Sequence, residues 1–155
     1  WLSQVEGLGL TISELYKKHP NIGIIFDGMK TERETMEKIK SLMPKSITTY
    51  NGLDCSVEET VVWSHAVDFA VAPAGAGIIF TVIANKPAVM HGPKGFCTTV
   101  PSCATPRENC VLSHYIDPQD VTDETDAYVS LCNSVVGRNY DFDWKKLYSK
   151  IIAPF

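Results

Sequence analysis

Four residues with almost no side chain, Ala74-Gly75-Ala76-Gly77, follow an apolar run that ends at Pro73, and apolar residues resume at Ile78. A backbone stripped of side chains lets another group come close. If Gly75 and Gly77 open a helix, its first turn offers unpaired N–H donors and a partial positive charge, which together hold a phosphate. The same residues also suit close packing of a helix on a strand, and spacing does not choose between the two. The segment is not G-x-G-x-x-G, and no Walker lysine follows, which disfavours an ordinary NAD or ATP site.

Other residues offer less on their own. Asp27 and Lys30 flank Gly28 in a turn and suit a ligand's hydroxyls and phosphates, although a solvated turn explains them equally well. Asn51-Gly52, followed by Leu53, reads as a turn. His91 stands beside Gly92 near the end of an apolar run and is expected as a hydrogen-bonded, partly buried imidazole. His65, near Trp63, reads as structural. No Ser-His-Asp or Cys-His arrangement can be read from spacing. Cys97, Cys103 and Cys110 lie six and seven residues apart, wider than the tight pairs of zinc sites, so no metal site is expected. Five cysteines in a chain of 155 residues do not suit a secreted disulfide scaffold either.

These candidates must be positioned by an alternation of elements. Residues 2–18 carry Leu2, Val5, Leu8, Ile12, Leu15 and Tyr16 on one helical stripe. Residues 22–28 form a continuous apolar run, expected to be a strand buried on both faces. Residues 31–43 read as a helix with a capping box from Thr31 and Glu34, and residues 56–67 as another, capped by Ser56 and Glu59. Strands are expected over 46–53, 68–73, 87–92 and 110–116. Helices are expected over 75–85, 123–138 and 141–152. Residues 93–109 have no periodicity and form a loop long enough to be functional. Strand–helix alternation of this kind implies βαβ crossovers and a mostly parallel sheet. The expected fold is therefore α/β, a Rossmann-like three-layer sandwich with helices on both faces and closing C-terminal helices, as one domain over 1–155. In such a sheet, ligands bind beyond the carboxyl ends of the strands.

Composition narrows the partners. Apolar residues are 45% and charged residues 21% of the chain, as in globular proteins. A net charge of −4 argues against nucleic acid, which needs a basic face. No apolar run reaches the ~18 residues of a membrane span, so any membrane contact is expected to be peripheral. The opening "WLSQVEGLGL" has no basic segment or cleavage pattern. The expected location is the cytoplasm.

At this point the stretch "DFAVAPAGAGIIFTVIANKPAVMHGPKG" resembles the donor-binding segment of GT-B glycosyltransferases. In layout it is closest to the heptosyltransferase-like branch. There an apolar strand, a small-residue turn and a helix lead to "GKP" and a strand ending "FGP"; here those places read Asn85-Lys86-Pro87 and Gly92-Pro93. "IIFDGMKTERETMEKIKSL" is similar to the family's strand, Gly-containing turn and charged helix, and "VVWSHAVDFAVAP" to the helix and strand before its donor loop. The sequence departs from the pattern at Ala74 and Ile79, where that branch has an acidic residue and a His. It departs again at Phe80, near the place of a ribose-binding Glu in many GT-B enzymes.

The resemblance implies a nucleotide-sugar donor domain of a glycosyltransferase acting on a glycan, lipid or protein acceptor, with no metal or other cofactor. Ala74, Gly75, Ala76 and Gly77 would bind phosphate through their backbone. Asp27, Gly28, Lys30, Asn51, Gly52 and Leu53 would hold the nucleotide, with His91 and Gly92 near the sugar. It further implies that the chain is the C-terminal half of a two-domain enzyme, with the acceptor domain upstream and the fragment alone inactive. The missing Met and the helix-like entry at Trp1 agree with that expectation. Two alternatives stay open: another GT-B enzyme such as a nucleotide-sugar 2-epimerase, and a non-enzymatic flavodoxin-like nucleotide- or flavin-binding module. A receiver domain is disfavoured, because the strand over 68–73 ends without an Asp.

Overall fold

A computed structural model describes residues 1–73, 83–94, 113–123 and 139–152. The expected phosphate segment 74–77, most of the helix over 75–85, nearly all of the 93–109 loop, and residues 124–138 of the expected helix over 123–138 lie outside the described residues. The described residues are mixed α/β with short parallel strands. The chain divides into two compact units, Ser3–Val62 and Trp1–Leu2 with Trp63–Phe155.

In the first unit, helix α1 (Gln4–Lys18) leads to strand β1 (Gly23–Gly28), helix α2 (Arg33–Ser41) and strand β2 (Thr48–Leu53). β1 and β2 pair in parallel from Gly23 opposite Thr48 to Gly28 opposite Leu53. Ile12 of α1 meets Ile39 of α2, Met43 and Ile47 in a buried cluster. Val5, Leu8, Tyr16, Ile22, Ile24 and Phe26 pack around it. Val5, Leu8, Ile12 and Tyr16 of the expected stripe thus face this core, whereas Leu2 lies before the helix and is 53% exposed. β1 is half-buried rather than buried on both faces, since only its Ile24 and Phe26 side turns to this cluster. α1 crosses the end of α2 at Gly9, where a Cβ would stand 2.7 Å from the Cβ of Leu42. Ser13 Oγ donates to the Gly9 carbonyl at 2.8 Å and the Leu42 carbonyl at 3.3 Å across the same crossing.

The start of α2 differs from expectation. Thr31 does not cap it; residues Lys30–Glu32 form a 3-10 turn first. The Glu32 carboxylate accepts the Met29 amide at 2.8 Å, so the acid one residue after Thr31 satisfies the exposed donor. Glu34 pairs instead with Lys38 at 2.7 Å, one helical turn on. Helix α3 (Val57–Ala66) does carry its expected box. The Ser56 amide donates to Glu59 at 2.8 Å, and the Glu59 amide to Ser56 Oγ at 3.2 Å.

In the second unit, strands β3 (Ala70–Pro73), β4 (Ala88–His91) and β5 (Ser113–Tyr115) form a parallel sheet with β4 between its neighbours. β4 is buried along its whole length, as an apolar strand inside a parallel sheet should be. Two short strands absent from the expected elements follow, β6 (Thr122–Asp123) and β7 (Tyr140–Asp141), paired antiparallel. Asp123 therefore ends a strand instead of opening a helix. Helix α4 (Trp144–Ile152) starts three residues later than expected, because Tyr140 and Asp141 are held in β7. α4 packs against β4 and buries Leu147 and Ile151. Its Lys146 and Lys150 each reach 3.0 Å to Asp120 and Asp117 of the preceding turn.

Candidate functional site

The carboxyl ends of β1 and β2 form one edge of the first unit. Register places Asp27 opposite Gly52 and Gly28 opposite Leu53. Asp27, Gly28, Asn51, Gly52 and Leu53, five residues singled out from sequence, therefore meet at that edge, and Lys30 follows two residues beyond the end of β1. Asn51-Gly52 is not a turn, however. β2 runs through both residues to Leu53, because the ladder with β1 continues there and Gly52 leaves room for it. A Cβ on Gly52 would stand 3.0 Å from the Phe26 carbonyl. The turn comes at Asp54, in the left-handed region at φ 68°, where Asp is tolerated better than most residues.

Two further acids complete the edge, and neither was singled out. Asp54 donates its amide to the Gly28 carbonyl at 2.7 Å. Glu32, holding the Met29 amide, fills the space into which a Gly28 side chain would project. Gly28 itself has φ 153°, a conformation that favours glycine. Asn51 Oδ1 accepts the Leu53 amide at 3.1 Å, so this side chain shapes the strand end. Lys30 is exposed beside the edge. Asp27 is exposed by area, yet the protein on its flanks removes part of its solvation and pushes its carboxyl above the usual range. The Gly28 amide acts in the opposite sense, and the Glu32 carboxylate adds to the rise. Such an edge offers carboxylates to hydroxyl groups and an ammonium to an anion. Cys55, a half-buried free thiol, follows directly.

His91 and Gly92 lie in the second unit, and the two ends are different environments. His91 is the last residue of β4, in register with Pro73 of β3. It is 4% exposed. Its Nδ1 lies 2.7 Å from Tyr140 Oη, and the rings of Trp1 and Phe142 stand 5.4 Å and 5.6 Å away. Burial lowers the imidazole to about 3. His91 is thus a neutral, enclosed ring at ordinary pH. The alternation of apolar residues around it gave no signal for Tyr140, whose partner lies 49 positions away. No group of three His, Cys, Asp or Glu among the described residues is arranged to hold a metal. No helix among them is long and apolar enough to cross a membrane.

The chain matches no family model, no curated protein and no solved structure.

Proposed function

We propose that the chain is a Rossmann-like donor-binding domain that takes a nucleotide-sugar, as part of a glycosyltransferase. The observation that carries this reading is the shared carboxyl edge of β1 and β2, where Asp27-Gly28 faces Gly52-Leu53 across a parallel ladder. Ligands of parallel α/β sheets collect at such edges. Asp27 and Asn51 suit the hydroxyls and base of a nucleoside, and Lys30 suits an anion. Ala74-Gly75-Ala76-Gly77 follows β3 in sequence, and a helix opening there would offer backbone donors to a phosphate. As the glycosidic bond to the leaving diphosphate breaks, negative charge builds on the phosphate oxygens. Donors fixed in advance around that position lower the barrier.

The test is the melting temperature of the chain against a panel of nucleoside diphosphates and nucleotide-sugars, with and without EDTA. A ligand at 100 times its Kd stabilises the native state by about 2.7 kcal/mol, roughly 5–10 °C for a domain of this size. We expect one nucleoside diphosphate to give a rise that survives EDTA and that disappears in Gly75→Asp, which sets a carboxylate where phosphate should lie. A rise of equal size in Gly75→Asp, or a flat response across the panel, would return the four small residues to a packing role.

A further inference from the structure

The second unit contains a titratable group built into a seam. Tyr140 and Asp141 form β7, and residues 1–2 lie along it. The Leu2 amide donates to the Tyr140 carbonyl at 2.9 Å, and Trp1 Nε1 donates to Asp141 Oδ1 at 2.8 Å. The Trp1 ring stacks on Phe142 with centroids 4.1 Å apart and planes 16° from parallel. These residues meet the end of β4 at His91, through the 2.7 Å hydrogen bond to Tyr140 Oη and the rings of Trp1 and Phe142. The enclosure is apolar and closed to solvent. It accommodates an imidazole that shares one proton with a phenol, and among the described residues no carboxylate is in hydrogen-bonding contact with the ring.

We propose that His91, enclosed by Trp1, Tyr140 and Phe142, is an acid-operated latch that holds β7 and residues 1–2 on the carboxyl end of β4. In the closed state the imidazole stays neutral. Opening exposes it to water, where it takes up a proton at its ordinary value of about 6.5. The closed value is about 3, so the latch is fully stabilised above 6.5 and weakens as pH falls through the window between the two values. One proton is taken up per opening. The open-to-closed ratio therefore rises toward tenfold per pH unit in that window, about fiftyfold from pH 6.5 to 4.5.

Charged residues also lie on the elements around the seam. β7 supplies Tyr140 and Asp141. α4 supplies Lys146 and Lys150, engaged with Asp120 and Asp117. β3 has no ionisable residue, His114 of β5 pairs with Val89 in register, and Asp123 of β6 pairs with Tyr140.

Hydrogen exchange on the full chain from pH 7 to 4, corrected for intrinsic rates, tests the latch. The Trp1 indole N–H and the Leu2 amide report its opening, and the Val89 amide reports the sheet beneath. We expect protection of the first two to fall by up to about tenfold per pH unit below 6.5, with Val89 unaffected. His91→Gln should remove that slope and His114→Gln should keep it. Tyr140→Phe, a milder change, should lower protection at every pH while retaining the slope. A flat profile in the wild type overturns the proposal, as does a slope that survives in His91→Gln but disappears in Asp141→Asn. Loss of Val89 protection in step with Leu2 also overturns it, since the event would then be general unfolding.

Discussion

The amide of Asp54 donates to the carbonyl of Gly28 at 2.7 Å and closes the ladder between β1 and β2 one residue beyond its last register pair. This bond fixes two unusual backbones against each other, Gly28 at φ 153° and Asp54 at φ 68°. The edge proposed to take a nucleotide is therefore shaped by main-chain geometry as much as by side chains.

Gly28→Ala should lower stability by about 1–3 kcal/mol, the cost of forcing a side chain into this backbone region. The new methyl would also displace the Glu32 carboxylate from the Met29 amide. Glu32→Ala in the same chain should recover only the collision and leave the backbone cost. Urea unfolding of both variants measures the split. An alanine variant as stable as the parent would show that the turn relaxes freely.

Asp27→Asn should make the chain more stable at pH 7. The Asp27 carboxyl lies above the usual range, first through lost solvation and then through Glu32, against the opposing Gly28 amide. A carboxyl raised in the folded state favours folding while protonated. That contribution is complete below the unfolded value and is lost as pH rises through the folded one. The gain from Asn should therefore be seen at neutral pH and vanish below the ordinary carboxylate value of about 3.9. Its size should stay under about 1 kcal/mol, because water still reaches the group. Urea midpoints at pH 7 and 3 give the sign. Destabilisation at pH 7 would mean that Asp27 holds a favourable contact in the folded chain. In the binding assay the same variant should weaken a nucleoside ligand, so stability and binding should move in opposite directions.

Much of this edge was legible in the sequence, for reasons that are local. A six-residue apolar strand, a helix with Ser56 and Glu59 three apart, and an amphipathic stripe on α1 all declare themselves within a few residues. What stayed hidden depends on partners far along the chain. Asn51-Gly52 has the chemistry of a turn, but pairing with Phe26 and Asp27 of β1 holds it extended. Thr31 has the chemistry of a cap, but Glu32 reaches the Met29 amide first. β6 and β7 have two residues each, too short for any periodicity, and Tyr140 finds His91 only through the fold. The half-burial of β1 was missed for a related reason. An apolar run records what can be buried, and only the packing of α1 and α2 on one side decides how much is.

Gly9→Ala poses a contest between two effects. Alanine gains about 1 kcal/mol of helix propensity over glycine. Against that, its methyl would sit 2.7 Å from Leu42 Cβ, and overpacking costs about 1–3 kcal/mol. The atom in the way is bound directly to the backbone, so no rotamer change removes it. We expect net destabilisation of about 1 kcal/mol by thermal or urea unfolding. In a Leu42→Gly background the obstacle is gone, and Gly9→Ala should there become stabilising. Failure of the sign to reverse would mean that the α1–α2 crossing does not limit position 9.

On α4, burial should outweigh charge. Leu147 is fully buried, and Leu147→Ala should cost about 2–5 kcal/mol through lost transfer energy and the cavity left behind. Lys146 and Lys150 lie one residue before and three after it and form ion pairs with Asp120 and Asp117, each at 3.0 Å. Their side chains keep 51% and 32% exposure. Each pair should therefore contribute less than about 1 kcal/mol, and Lys146→Ala and Lys150→Ala should be mild. Salt separates the two terms. In 1 M salt the screening length falls to about 3 Å, so the lysine effects should shrink while the Leu147 effect persists. A lysine variant as damaging as Leu147→Ala would show instead that the 117–120 turn is held on α4 chiefly by charge, and that releasing it opens the β4 face beneath.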